Sequence, residues 1–85
     1  MNNQSQVVSF LVRTLFRAGA PMLEPTLIDA VRAGLSHIRP TDADVRACLQ
    51  LAERTEYVVG TDVDLEGRYW TLTPHGELKA RQLGG

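Results

Sequence analysis

The stretch TDADVRACLQLAERTEYVVGTDVDLEGRYWTLTPHG, residues 41–76, decides the reading of this chain, because the hydrophobic period changes twice within it. Thr41 precedes Asp42, Ala43 and Asp44. This is a Thr-x-x-Asp start, in which the hydroxyl accepts a backbone N–H three residues on and the carboxylate bonds back. Val45, Cys48, Leu49 and Ala52 then recur at helical spacing, while Arg46, Gln50, Glu53 and Arg54 fall off that stripe. One face packs and the other is free. After Glu56 the pattern shortens. Tyr57-Val58-Val59 is aromatic and β-branched, Gly60 and a polar run to Gly67 follow, and Tyr69-Trp70-Thr71-Leu72 is a second strand signal. The expectation is a helix over 41–55, then a hairpin of 57–60 with 69–73 joined by a long acidic tip. Thr73-Pro74 is a cap followed by proline at the first helical position, which predicts a last helix over 74–82 with Glu77, Leu78 and Ala80 in it.

Toward the N-terminus, Val7, Val8, Phe10, Leu11, Val12, Leu15 and Phe16 predict a helix over 6–18. Its apolar arc covers roughly 240° of the circumference, wider than one core-facing stripe requires. Two explanations stand. In a domain this small the first helix is wrapped by the others, or Phe10 and Phe16 form the seam of a homodimer. Gly19-Ala20-Pro21 stops that helix. Pro25 suits the first turn of a second helix over 25–36, where Leu27, Ile28, Val31 and Leu35 make an amphipathic stripe. The polar residues 1–6 and the terminal Gly84-Gly85 are expected to be loose.

Eighty-five residues with 44% hydrophobic content allow one domain with one small core. A charged fraction of 22% and a net charge of -1 place the chain with ordinary globular proteins and exert no global pull toward nucleic acid. One cysteine forms no internal disulfide, and no Cys/His cluster has zinc spacing, so no metal and a reducing compartment are expected. The start lacks the basic and apolar regions of a signal peptide, and no segment is long enough to span a bilayer. A cytoplasmic protein with no membrane contact is expected.

Catalysis finds little to work with. His37 and His75 are the only histidines and Cys48 the only thiol, and none stands in a catalytic sequence context. Cys48 lies on the apolar stripe of its helix, where a small buried thiol is the ordinary occupant. His37 belongs to a loop and His75 to the first turn of the last helix. No enzyme and no cofactor are expected.

Supporting helices, a helix free on one face and a hairpin behind it resemble the winged helix-turn-helix superfamily. The most specific local piece is Tyr69-Trp70-Thr71-Leu72-Thr73-Pro74-x-Gly76, which is similar to the strand that closes the wing in MarR-type bacterial regulators, where a Leu-Thr-x-x-Gly run starts the next helix. The resemblance covers roughly residues 7–83. It implies an α+β winged helix-turn-helix domain, three helices with a β-hairpin wing and a short C-terminal helix. It further implies double-stranded DNA as partner and a small dimeric transcriptional regulator. By the same resemblance the helix from Thr41 enters the major groove, with Arg46 suited to guanine and Gln50 to adenine, and Arg54 and the wing's Arg68 suited to phosphates. The resemblance also places Thr41 among the candidate DNA contacts of that helix.

Charge opposes part of this picture. Residues 41–68 hold Arg46, Arg54 and Arg68 against Asp42, Asp44, Glu53, Glu56, Asp62, Asp64 and Glu66. A hairpin tip of Asp62-Val63-Asp64-Leu65-Glu66 repels phosphates. Val63 and Leu65 between carboxylates also suit a basic protein partner. The alternative function is therefore a protein-interaction or inhibitory module, as in a phage-type accessory protein or a subunit of a larger assembly.

Overall fold

The structure is a computed structural model describing residues 3–84; Met1, Asn2 and Gly85, part of the ends expected to be loose, lie outside the described residues. The described elements run α1 (Gln4–Ala18), β1 (Met22–Leu23), α2 (Glu24–Gly34), α3 (Asp42–Arg54), β2 (Val58–Val63), β3 (Gly67–Leu72) and α4 (Pro74–Gln82). The strands form one antiparallel sheet in the order β1-β3-β2. The fold is α+β with a winged-helix-like layout.

Helix α1 starts two residues before the expected position. Gln4, Ser5 and Gln6 are its first turn, held because the Val7 N–H donates to the Asn3 carbonyl at 3.0 Å and the Val7 side chain is buried. Gly19, at φ 64°, closes the other end by donating its N–H to the Leu15 carbonyl. Val7, Leu11, Val12 and Leu15 are buried, and Val8, Phe10 and Phe16 are half-buried against the same core. The helix packs against α2, α3, α4 and β3, so its wide apolar arc is largely wrapped within the chain.

In α2 the expected stripe is buried in full, Leu27, Ile28 and Val31 within the helix and Leu35 just beyond it. The reciprocal cap of α3 forms as its sequence requires. The Asp44 N–H donates to the Thr41 hydroxyl at 3.1 Å, and the Thr41 N–H donates to the Asp44 carboxylate at 2.9 Å. Val45, Cys48, Leu49 and Ala52 are all buried.

The hairpin corrects the expectation of short strands and a long tip. β2 runs on to Val63 and β3 begins at Gly67, leaving only Asp64, Leu65 and Glu66 as the turn. The cause is cross-strand pairing, which local propensity does not report. Asp62 faces Arg68 in the register and binds it, so charged residues that read as loop extend the ladder. The Glu66 N–H donates to the Val63 carbonyl at 3.1 Å and closes the turn. Alternation places Val58, Gly60 and Asp62 on one face with Leu72, Trp70 and Arg68. Trp70, 2% exposed, is the largest buried side chain. A third strand, β1, pairs with β3, with Met22 opposite Trp70 and Leu23 opposite Tyr69.

Helix α4 leaves β3 with no intervening loop. The Gly76 N–H donates to the Thr73 hydroxyl at 3.0 Å, that hydroxyl donates to the Glu56 carbonyl, and the Thr73 N–H donates to the Tyr57 carbonyl. A Cβ on Gly76 would lie 2.0 Å from the Tyr57 oxygen. The glycine of the Thr-Pro-x-Gly run therefore lets α4 sit directly on the backbone at the base of the hairpin.

Candidate nucleic-acid interface

Burial of Val45, Cys48, Leu49 and Ala52 turns the opposite side of α3 outward. There Ala43, Arg46, Ala47, Gln50, Glu53 and Arg54 are all exposed. At 100° per residue Gln50 lies close to the middle of this outer arc. Ala43 and Ala47 beside it are small, so another surface can approach the helix backbone closely.

A chain of polar contacts links this helix to the hairpin. The Trp70 indole N–H donates to Glu24 Oε1 at 2.9 Å, and Arg46 Nε lies 3.4 Å from Glu24 Oε2. Glu24 thus satisfies the one polar atom of the buried indole and holds Arg46 with its other oxygen. Arg68 lies across the same tryptophan, its guanidinium carbon 5.6 Å from the ring centroid. It grips Asp62 with two donors, Nε at 2.8 Å and Nη2 at 3.3 Å. Gly60 makes room for this arrangement, since a Cβ there would lie 2.9 Å from Arg68 Cδ and 3.1 Å from the indole. The hydrogen bond and charge of Arg68 hold the Asp62 carboxyl below its ordinary pKa. The Tyr69 hydroxyl donates to Glu66 at 2.7 Å, which pushes the phenol up.

The five residues singled out for DNA contact therefore stand differently. Gln50 and Arg54 are exposed. Arg46 and Arg68 are exposed and ion-paired, and the Thr41 hydroxyl is engaged as a helix cap. Acidic groups are also less free than a count of charges indicates. Arg32 binds Asp42 at 2.8 Å and donates to the Pro40 carbonyl at 3.0 Å, and Asp44 is held in the cap. Glu53, Glu56 and Asp64 form no ion pair among the described residues.

Of the residues singled out for a protein interface, Phe10 and Phe16 are half-buried, Phe10 lying so close over Gly34 that a Cβ there would meet the ring. Val63 is 37% exposed, and Leu65, at φ 64° on the tip, is fully exposed. Sequence reasoning missed Glu24 and the pairing roles of Asp62 and Trp70. Glu24 and Trp70 are 46 positions apart, and no local pattern announces their contact.

Burial, followed by the charge of Asp44, pushes the Cys48 thiol above its ordinary pKa, which keeps it protonated and unreactive. Among the described residues no group of three or more His, Cys, Asp or Glu side chains is placed to hold a metal ion. No helix there is long and apolar enough to cross a membrane. No protein-family model, curated protein or solved structure matches the chain.

Proposed function

We propose that this chain is a winged-helix DNA-binding protein of the cytoplasm, a small transcriptional regulator that acts as a homodimer, with α3 as its groove-reading helix. The observation that carries this reading is the outer arc of α3, unobstructed along its length, with Arg46, Gln50 and Arg54 on it and the hairpin tied to its flank through Glu24 and Trp70.

The ion pair on Arg46 does not remove that residue from the reading. Its side chain is 52% exposed, and an exposed pair of this kind contributes about 0–1 kcal/mol. A pair that weak does not hold Arg46 away from a base edge, where a bidentate contact with guanine discriminates by about 1–3 kcal/mol. The hairpin is a poorer phosphate contact, because Asp62 stays beside Arg68 and Asp64 and Glu66 stand at the tip. Binding then rests on α3, and two copies on one duplex supply the affinity that one lacks.

Selection from a random duplex library, followed by mobility shift of the recovered site, tests this. A palindromic site is expected. Arg46→Ala should lose about 1–3 kcal/mol and relax preference at one base pair per half-site, and Gln50→Ala should relax a neighbouring one. With Arg46 on a base and Arg54 as the phosphate-contacting cation, log K should fall with log salt at a slope of roughly -1 per protomer. Absence of any enriched site would overturn the proposal.

A second reading has its own observation: Leu65 projects fully into solvent beside Val63 and the exposed Asp64. An apolar knob ringed by carboxylates suits a basic protein partner, in a phage-type accessory protein or a larger assembly. A partner that survives nuclease in a pull-down and is lost on Leu65→Asp would favour that role over DNA binding.

A further inference from the structure

We infer that the cleft between α1 and the link that follows α2 binds a small organic anion, its carboxylate or phosphate on Arg13 and His37 and its apolar body on Phe10 and Leu35. The cleft has a volume of about 310 Å³ and is further lined by Ser5 and Ser9. No residue of α3 or of the hairpin contributes to it, so the inference stands apart from the DNA reading.

Arg13 carries the inference. Every other arginine of the chain is exposed, and Arg13 alone is half-buried. Arg32, Arg46 and Arg68 each have a carboxylate partner, whereas Arg13 has none among the described residues. Its Nε is buried without an acceptor. Nε is enclosed by protein, so it is the rest of the half-buried guanidinium, lining the cleft and without a carboxylate partner among the described residues, that is left for an anion. The surroundings point to an anion. No acidic side chain lines the cleft, and two hydroxyls and an imidazole do. The guanidinium fork suits the paired oxygens of a carboxylate or phosphate. Phe10 and Leu35 add an apolar surface, which favours an anion with a hydrocarbon body over a bare inorganic ion.

The test is a titration of the full chain with benzoate and with phenyl phosphate, followed by amide NMR, with benzyl alcohol as the neutral control. Saturable shifts are expected at the amides of Ser5, Ser9, Arg13 and His37 with at least one anion, and the tighter anion identifies the headgroup. Arg13→Gln should weaken binding by about tenfold or more. Arg13→Lys keeps the charge without the fork and should fall between. Should Arg13→Gln fail to fold, His37→Gln on the exposed link provides the same comparison with an expected smaller loss. No saturable shift with either anion would overturn the inference. So would equal binding of benzyl alcohol, undiminished affinity in the variants, or a response of these amides to duplex DNA alone.

Discussion

Two glycines show how a single missing Cβ acts differently with its surroundings. At Gly76 the obstructing atom is the Tyr57 carbonyl oxygen, part of a backbone that also accepts the Thr73 N–H. That carbonyl cannot move without breaking the junction of β2 and α4. Gly76→Ala should therefore cost about 1–3 kcal/mol or more in urea unfolding, the range for an overpacked site. At Gly34 the obstructing atoms are the outer end of the half-buried Phe10 ring, a side chain rather than backbone. Gly34→Ala should be close to neutral in the same measurement, with the better helix propensity of alanine offsetting the displaced ring. Leu65 is the reverse case, a side chain at φ 64° where glycine is at ease. Leu65→Val, β-branched at that position, should lower the midpoint clearly, and Leu65→Gly should not.

Among the elements, the start of α2 and strand β3 depend on one carboxylate. Glu24 accepts from the indole of Trp70 and pairs with Arg46. Glu24→Gln keeps an acceptor for the indole and loses only an exposed ion pair, so a change within about 1 kcal/mol is expected. Glu24→Ala leaves a buried N–H unsatisfied and should cost about 1–3 kcal/mol, with altered Trp70 fluorescence as a local readout. The hairpin carries a pH dependence. Asp62 has a folded pKa below its ordinary 3.8 because Arg68 bonds to the charged form. Its contribution is present above the unfolded value and is lost as pH falls through the folded one. Asp62→Asn should flatten that acid limb by removing the small contribution at neutral pH, leaving stability below the folded pKa little changed.

For the molecule as a whole, Cys48 is an internal probe of opening. The thiol is 4% exposed, and burial holds its pKa up. Alkylation by iodoacetamide should be slow in the native state and should track the population of the unfolded chain, rising in step with urea unfolding. Rapid modification without unfolding would show instead that α1 separates from α3 locally. The raised pKa also has a consequence at high pH. Its contribution to stability is complete below the unfolded thiol pKa and is lost as pH rises through the folded one, so Cys48→Ala should weaken the alkaline decline.

Helical spacing alone located the buried stripes of α2 and α3, the Thr41–Asp44 cap and the Thr-Pro start of α4, because each depends on residues within a turn or two of one another. The α+β class and the order of helices and hairpin were legible for the same reason. The length of the hairpin was not, since polar strand residues are held there by partners on the opposite strand rather than by their own propensity. Nor was the state of the candidate site. Which arginines are paired, which carboxylates are engaged and why Arg13 has no carboxylate partner among the described residues depend on side chains far apart in sequence. Only the packing of α1, α2 and α3 against the sheet brings them together or keeps them apart, because contact at that range is decided by the tertiary fold and not by local spacing.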